Sequence, residues 1–197
     1  KIGLTHLKLN RLANDGTTGG LPLEGSDTTI LMEPSKWGGG GAPRPVSPWS
    51  AELSPDGKKL YLAGYAWTYW DTSNWDCHSV VMVMDYEKND KPTVFAGSPK
   101  DKEYGDTPDK FHCATSVSCD AKGRVYVSDY MNNRIQVFSS DGKLEKSIPV
   151  DKPAVVRVHQ KTGEIYVFSW PIHNVDMIKE NKWQGNLPKL THLGTAE

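Results

Sequence analysis

The pentapeptide Gly123-Arg124-Val125-Tyr126-Val127 returns forty residues later as Gly163-Glu164-Ile165-Tyr166-Val167, and Lys59-Leu60-Tyr61-Leu62 is a third copy. A repeat constrains the fold strongly, because one supersecondary unit buries its apolar faces only by stacking on its neighbours. Each copy follows a short alternating segment and a tight polar turn. These are Ala51 to Ser54 before Pro55-Asp56-Gly57, Val117 to Asp120 before Ala121-Lys122-Gly123, and Val156 to His159 before Gln160-Lys161-Thr162-Gly163. That is a hairpin signature. A third β-rich run follows at Val80 to Asp85, Arg134 to Phe138 and Val175 to Ile178, and a fourth, weaker one near Pro92 to Ala96, Lys143 to Val150 and Leu187 to Leu193.

Four antiparallel strands in about forty residues is the period of a blade in a β-propeller, a WD40-like spacing. Composition agrees: 18 Gly, 13 Pro, 7 Trp and 8 Tyr with 37% hydrophobic residues describe short strands, turns and aromatic packing, so an all-β chain is expected. About three blades of four antiparallel strands are visible, at 49–97, 113–150 and 153–193, with long loops at 65–79 and 98–112. Residues 1–48 are read as the outer strand of a preceding blade, Lys1 to Leu9, followed by a Gly/Pro-rich lead-in. Three blades cannot close a ring. The remaining blades are expected in another segment, in a second chain or in a symmetric copy, and the start at Lys1 is expected of a processed chain or of a piece of a longer one.

Charge and hydropathy remove other classes. With 23 Lys+Arg against 24 Asp+Glu the net charge is -1, which supplies no general field for nucleic acid or an anionic membrane. Apolar runs such as Val80 to Val83 fall far short of a membrane helix, and the mean hydropathy is -0.56. No Gly-x-Ser-x-Gly, phosphate-binding loop, HExxH or Cys-x-x-Cys-His is present, and no Asn-x-Ser/Thr acceptor.

The stretch Ala114 to Leu144 carries Val117-Ser118-Cys119-Asp120, Gly123-Arg124-Val125-Tyr126-Val127-Ser128-Asp129 and Asn132-Asn133-Arg134-Ile135-Gln136-Val137-Phe138, and it resembles an NHL repeat. The family's usual Asn-His-Arg-Ile stands here as Asn132-Asn133-Arg134-Ile135, while the flanking copies keep the strand pattern without the signature. The resemblance implies a propeller that usually closes with six blades. It also brings three function classes: a binding or scaffolding module, a zinc- or calcium-dependent lyase or lactone hydrolase, and an RNA-binding module.

Excess length collects on one face. Tyr61 to Tyr126 spans 65 residues against 40 for Tyr126 to Tyr166, and the surplus divides between Tyr65 to Ser79 and Gly97 to Phe111. Long loops on a rigid scaffold are where function is normally placed. The first loop holds Tyr65, Trp67, Tyr69, Trp70 and Trp75, rings that serve either a contact surface or the packing of their own loop. Trp67, Tyr69, Trp70 and Trp75, with Tyr130, Arg134, Trp170 and His173, form the candidate binding set for a protein partner or a small ligand. Nucleic acid is disfavoured there, because Arg134 and scattered lysines make no basic face.

Cys77-His78 ends the first long loop and His112-Cys113 the second, so adjacent blades present both pairs at strand entrances. Three readings stand open: a Cys77 to Cys113 disulfide, which would fit an extracellular or periplasmic protein; a Cys/His metal site; and unrelated thiols. Cys119 sits at an inward strand position, as a small buried hydrophobe. Asp101, Glu103, Asp106 and Asp109 form an acidic group that reads as a solvated loop more readily than a calcium site. In the metal-dependent reading that the resemblance brings, His78, His112 and His173 are the ligands and Tyr69 or Tyr130 the acid/base candidates.

Overall fold

The computed structural model describes residues 8–10, 22–27, 30–31, 45–46, 48–67, 77–86, 88, 92–99, 103–172 and 188–197, with side chains described from Trp49 onward except at 65–67 and 77–78. Among the described residues every regular element is a β-strand. Two short antiparallel pairs come first, β1 (Lys8–Asn10) with β2 (Pro22–Asp27) and β3 (Ile30–Leu31) with β4 (Pro45–Val46). The expected Lys1 to Leu9 strand lies mostly outside the described residues.

Three sheets then follow in chain order. The first is β5 (Pro48–Leu53), β6 (Lys59–Trp67), β7 (Cys77–Asp85) and β8 (Thr93–Ser98), paired in sequence as an antiparallel meander. The second is β9 (Ala114–Cys119), β10 (Val125–Asp129), β11 (Arg134–Phe138) and β12 (Leu144–Pro149), built the same way. The third is β13 (Pro153–Val158), β14 (Ile165–Ser169) and β15 (Lys189–His192). Here the expected order changes. Leu187 to Leu193 is expected as an outer fourth strand, yet Lys189–His192 pairs directly with β14, setting His192 opposite Tyr166 and Leu190 opposite Phe168. Val175 to Ile178, the expected third strand, lies outside the described residues.

Two cores hold the three sheets face to face. Tyr61, Ala63 and Val81 of the first sheet pack on Val117, Val125 and Val127 of the second. Phe95 sits edge-on to both Tyr61 and Phe138, with ring centroids 5.0 and 5.9 Å apart. On its other face the second sheet offers Tyr126, Ile135 and Val137 to Val156, Ile165 and Val167 of the third. A central sheet buried on both faces explains why all six residues of β9 and all five of β10 are buried. The alternation therefore sorts residues between two neighbours instead of between core and water.

The first strands of adjacent sheets are also joined laterally. The Ser50 hydroxyl accepts from the Val117 amide at 3.2 Å, Ser116 from Val156 at 3.3 Å, and Ser118 from Val158 at 3.3 Å. These hydroxyls satisfy inner-strand amides that no ladder partner reaches.

Candidate functional site: the long-loop face

The loops joining β10 to β11 and β8 to β9 meet at one end of the second sheet. Asp129 ends β10 with its side chain fully buried, and three donors converge on it. The His112 amide donates to Oδ1 at 2.7 Å, while Asn132 Nδ2 and Arg134 Nε donate to Oδ2 at 2.9 and 2.7 Å. Burial pushes the Asp129 carboxyl up to about 6, against the pull of Asn132, the His112 amide and the Arg134 charge.

Asn132 and Arg134 spend their remaining donors on the 103–111 loop. Asn132 Nδ2 reaches the Gly105 carbonyl at 2.8 Å, and Arg134 reaches those of Asp106, Thr107 and Lys110 at 2.7, 3.1 and 3.1 Å. A planar guanidinium with five donors suits this fan of acceptors. Its consequence is a long loop held by specific bonds, with Asp106, Thr107, Pro108 and Asp109 exposed at the tip. The Thr107 hydroxyl holds the Asp109 carboxyl below the usual carboxylate range, and Glu103 accepts from Ser98 Oγ at 2.6 Å. Asp101 lies outside the described residues.

Tyr130 takes a different position from the expected binding surface. It is fully buried, and its hydroxyl donates to the Trp170 carbonyl at 3.1 Å while accepting from the Ile172 amide at 3.0 Å. The ring thus ties the second sheet to the third, and Trp170 keeps 37% exposure beside it. His112 is half-buried and its ring lies 4.9 Å from that of Tyr104.

Cys113 is disulfide-bonded, and Cys119 is a buried free thiol that burial pushes up to about 12. Cys113 stands at a left-handed φ of 67° in which its amide, like that of Ala114, donates to Ser79 Oγ, at 2.6 and 3.2 Å. The backbone register sets Cys77 opposite Trp67 and His78 opposite Ala66 at the far end of β6 and β7. The side chains of Trp67, Cys77 and His78, and the whole of Tyr69, Trp70, Trp75 and His173, lie outside the described residues.

The structure thus gathers Tyr130 with Trp170, and Arg134 with the backbone of His112 through Asp129. It does not bring Arg134 to a free surface, since its donors are committed to the loop. Among the described residues no group of three His, Cys, Asp or Glu side chains converges as a metal site. A disulfide sulfur is no thiolate ligand, so Cys113 does not fit a tetrahedral zinc set in this form. Asp129 and Asn132 are the residues that sequence reading passed over. Their signal is the Asp-x-x-Asn-x-Arg spacing of residues 129 to 134, which puts three polar side chains around one turn.

Stacked four-stranded antiparallel sheets joined at their inner strands define a β-propeller. Within it, residues 111–138 match the NHL repeat family model, so the second blade carries an NHL repeat and with it the clamp on the 103–111 loop. Among solved structures the calcium-binding protein regucalcin from Agrobacterium tumefaciens matches with a TM-score of 0.50 and 18% identity, over 79% of this chain and 50% of that one. A gluconolactonase from Xanthomonas campestris matches with a TM-score of 0.40 and 18% identity, over 64% of this chain and 38% of that one. The hydrazine synthase of Kuenenia stuttgartiensis gives 0.47 and 13%, over 79% and 48%. The chain therefore spans half the length of the regucalcin relative, with which it shares the fold. No curated protein matches its sequence.

Proposed function

We propose that the chain is part of an NHL-type propeller, of six blades when complete, that binds a protein or a small ligand on its long-loop face. The observation that supports this reading is the clamp at Arg134, which fixes the 103–111 loop through three carbonyls while leaving residues 106–109 exposed. A loop fixed before its ligand arrives loses less entropy on binding. The aromatic loop with Trp67, Tyr69, Trp70 and Trp75, and the residues Trp170 and His173, belong to the same expected face. In this reading Cys77 is the disulfide partner of Cys113 and staples the aromatic loop to the clamped one, as suits an extracellular or periplasmic protein.

The test is capture by the immobilised protein of proteins and small ligands from its source, followed by Trp67→Ala, Trp70→Ala and Trp75→Ala. Lys161→Ala, in a hairpin turn of the opposite face, is the control. Interactions lost in the tryptophan variants and kept in the control support the reading, and interactions unchanged in all of them sink it. Metal analysis of the same sample addresses the metal-dependent enzyme reading, for which the calcium-binding relative is the prompt. Stoichiometric zinc or calcium would move the assignment to His78, His112 and His173, with Tyr69 as the acid/base candidate. Tyr130 is poorly placed for that role, because its hydroxyl already holds Trp170 and Ile172.

A further inference from the structure

Glu52, Ser118 and Arg157 hold one register position in the three sheets, opposite Tyr61, Tyr126 and Tyr166. Their strands β5, β9 and β13 each stand at the edge of a sheet, the edge that a propeller turns to its central channel. Backbone groups on that edge have no ladder partner and are met by side chains instead. Ser50, Ser116 and Ser118 accept from amides of the next strand, and Gln160 Nε2 donates to the Cys119 carbonyl at 2.6 Å.

Two charged side chains join this polar edge. Arg157 Nη1 donates to the Val156 carbonyl at 2.8 Å and to Ser116 Oγ at 3.4 Å, so the guanidinium reaches back from β13 to β9. Glu52 lies in its field: burial pushes the Glu52 carboxyl up, while the Arg157 charge and the Cys119 amide pull it down. Among the described residues no ion pair closes between the two, and Arg157 Nε and Nη2 carry no hydrogen bond. A half-buried carboxylate and an exposed guanidinium thus act on each other without being closed on each other.

We propose that Glu52 and Arg157 form a binding site on the inner-strand edges for a free amino acid, its carboxylate on the Nε and Nη2 fork of Arg157 and its ammonium on Glu52. Charge selects this class of ligand. A lone anion at Arg157 meets repulsion from Glu52, and a lone cation at Glu52 meets that of Arg157, whereas a small zwitterion presents the opposite sign to each. The planar fork also matches a carboxylate in bidentate geometry. Its contact with Ser116 orients the guanidinium before the ligand arrives, which lowers the ordering cost of binding. The site is separate from the long-loop face, because Glu52 and Arg157 adjoin the hairpin turns at Ser54 to Gly57 and His159 to Gly163, at the opposite end of the blades.

Ligand-observed NMR on the full chain tests this with the natural free amino acids, each against its N-acetyl and its carboxamide derivative. At least one free amino acid is expected to bind, with both of its derivatives at least tenfold weaker. Glu52→Gln keeps an acceptor for the Cys119 amide and removes the charge, so the amino acid and its N-acetyl derivative should become equal. Arg157→Gln should make the amino acid and its carboxamide equal, and Arg157→Lys should retain part of the binding. The comparison of derivatives on the native chain stands whatever the stability of the variants. Binding by none of the free amino acids would overturn the proposal, and so would a derivative that binds as tightly as its parent. Binding unchanged in both Glu52→Gln and Arg157→Gln would overturn the assignment to these two residues.

Discussion

Arg134 Nε lies 2.7 Å from the buried carboxylate of Asp129, and the same guanidinium holds the carbonyls of Asp106, Thr107 and Lys110. One side chain therefore neutralises a charge inside the second blade and fixes a loop outside it. Replacing it separates the two jobs. Arg134→Ala leaves Asp129 without its cation and is expected to cost about 3 kcal/mol in chemical denaturation, as for other broken buried pairs. Backbone amides of residues 103–111 should exchange faster in the same variant. Arg134→Lys keeps the charge but not the fan of donors, so it should recover part of the stability and little of the exchange protection. Unchanged exchange in both variants would show that the loop is held by something else.

The same carboxylate makes stability depend on pH. Its folded pKa of about 6 stands above the ordinary 3.8, so the folded state holds the proton more tightly than the unfolded chain. The stability contributed by that proton is complete below about 3.8, falls as pH rises toward about 6, and is gone above it. The difference corresponds to about 3 kcal/mol at most. Urea midpoints between pH 4 and 7 should show this decline in the native protein, and Asp129→Asn should flatten it. A slope that is the same in the variant would place the titration elsewhere.

Tyr130→Phe removes the hydroxyl that serves the Trp170 carbonyl and the Ile172 amide and changes nothing else in shape. A loss of about 1–2 kcal/mol is expected, since two backbone groups near the junction of blades two and three lose a partner. A thermal melt with an unchanged midpoint would mean that water replaces the hydroxyl at no cost.

Gly97 has a φ of +78°, and a Cβ there would lie 2.7 Å from both Phe111 Cδ2 and the Ser79 carbonyl. Gly57 has a similar φ of +72° with nothing within 4 Å. Gly57→Ala should therefore cost only the backbone strain, about 1 kcal/mol, whereas Gly97→Ala adds a clash in the interface between blades one and two and should cost more than about 2 kcal/mol. Equal denaturation midpoints for the two variants would contradict that packing.

Thiol titration separates the cysteines. Cys119, with its thiol pushed up to about 12 and its side chain buried, should not react in the folded protein at pH 8. Denaturation without reductant should release one thiol and denaturation with reductant three. Three without reductant would eliminate the disulfide at Cys113.

Local chemistry determined the blade-like hairpins. Polar turns such as Asp120 to Gly123, flanked by β-branched alternation, carry their conformation within about ten residues, so their period was readable and the NHL signature could be recognised at Asn132-Asn133-Arg134-Ile135. The burial of Cys119 followed from the same alternation. Tertiary structure decided what distance along the chain conceals. Tyr130 and Arg134 have the composition of a binding surface, yet Tyr130 closes a junction with residues 40 and 42 positions away and Arg134 binds a loop 24 to 28 positions back. The direct pairing of Lys189–His192 with β14 likewise depends on a partner across a long connection. In each case the hydrogen bonds join segments that lie far apart along the chain and meet only in the folded protein. A period along the sequence determines the stacking units; the atoms that face one another between them are set by the stack.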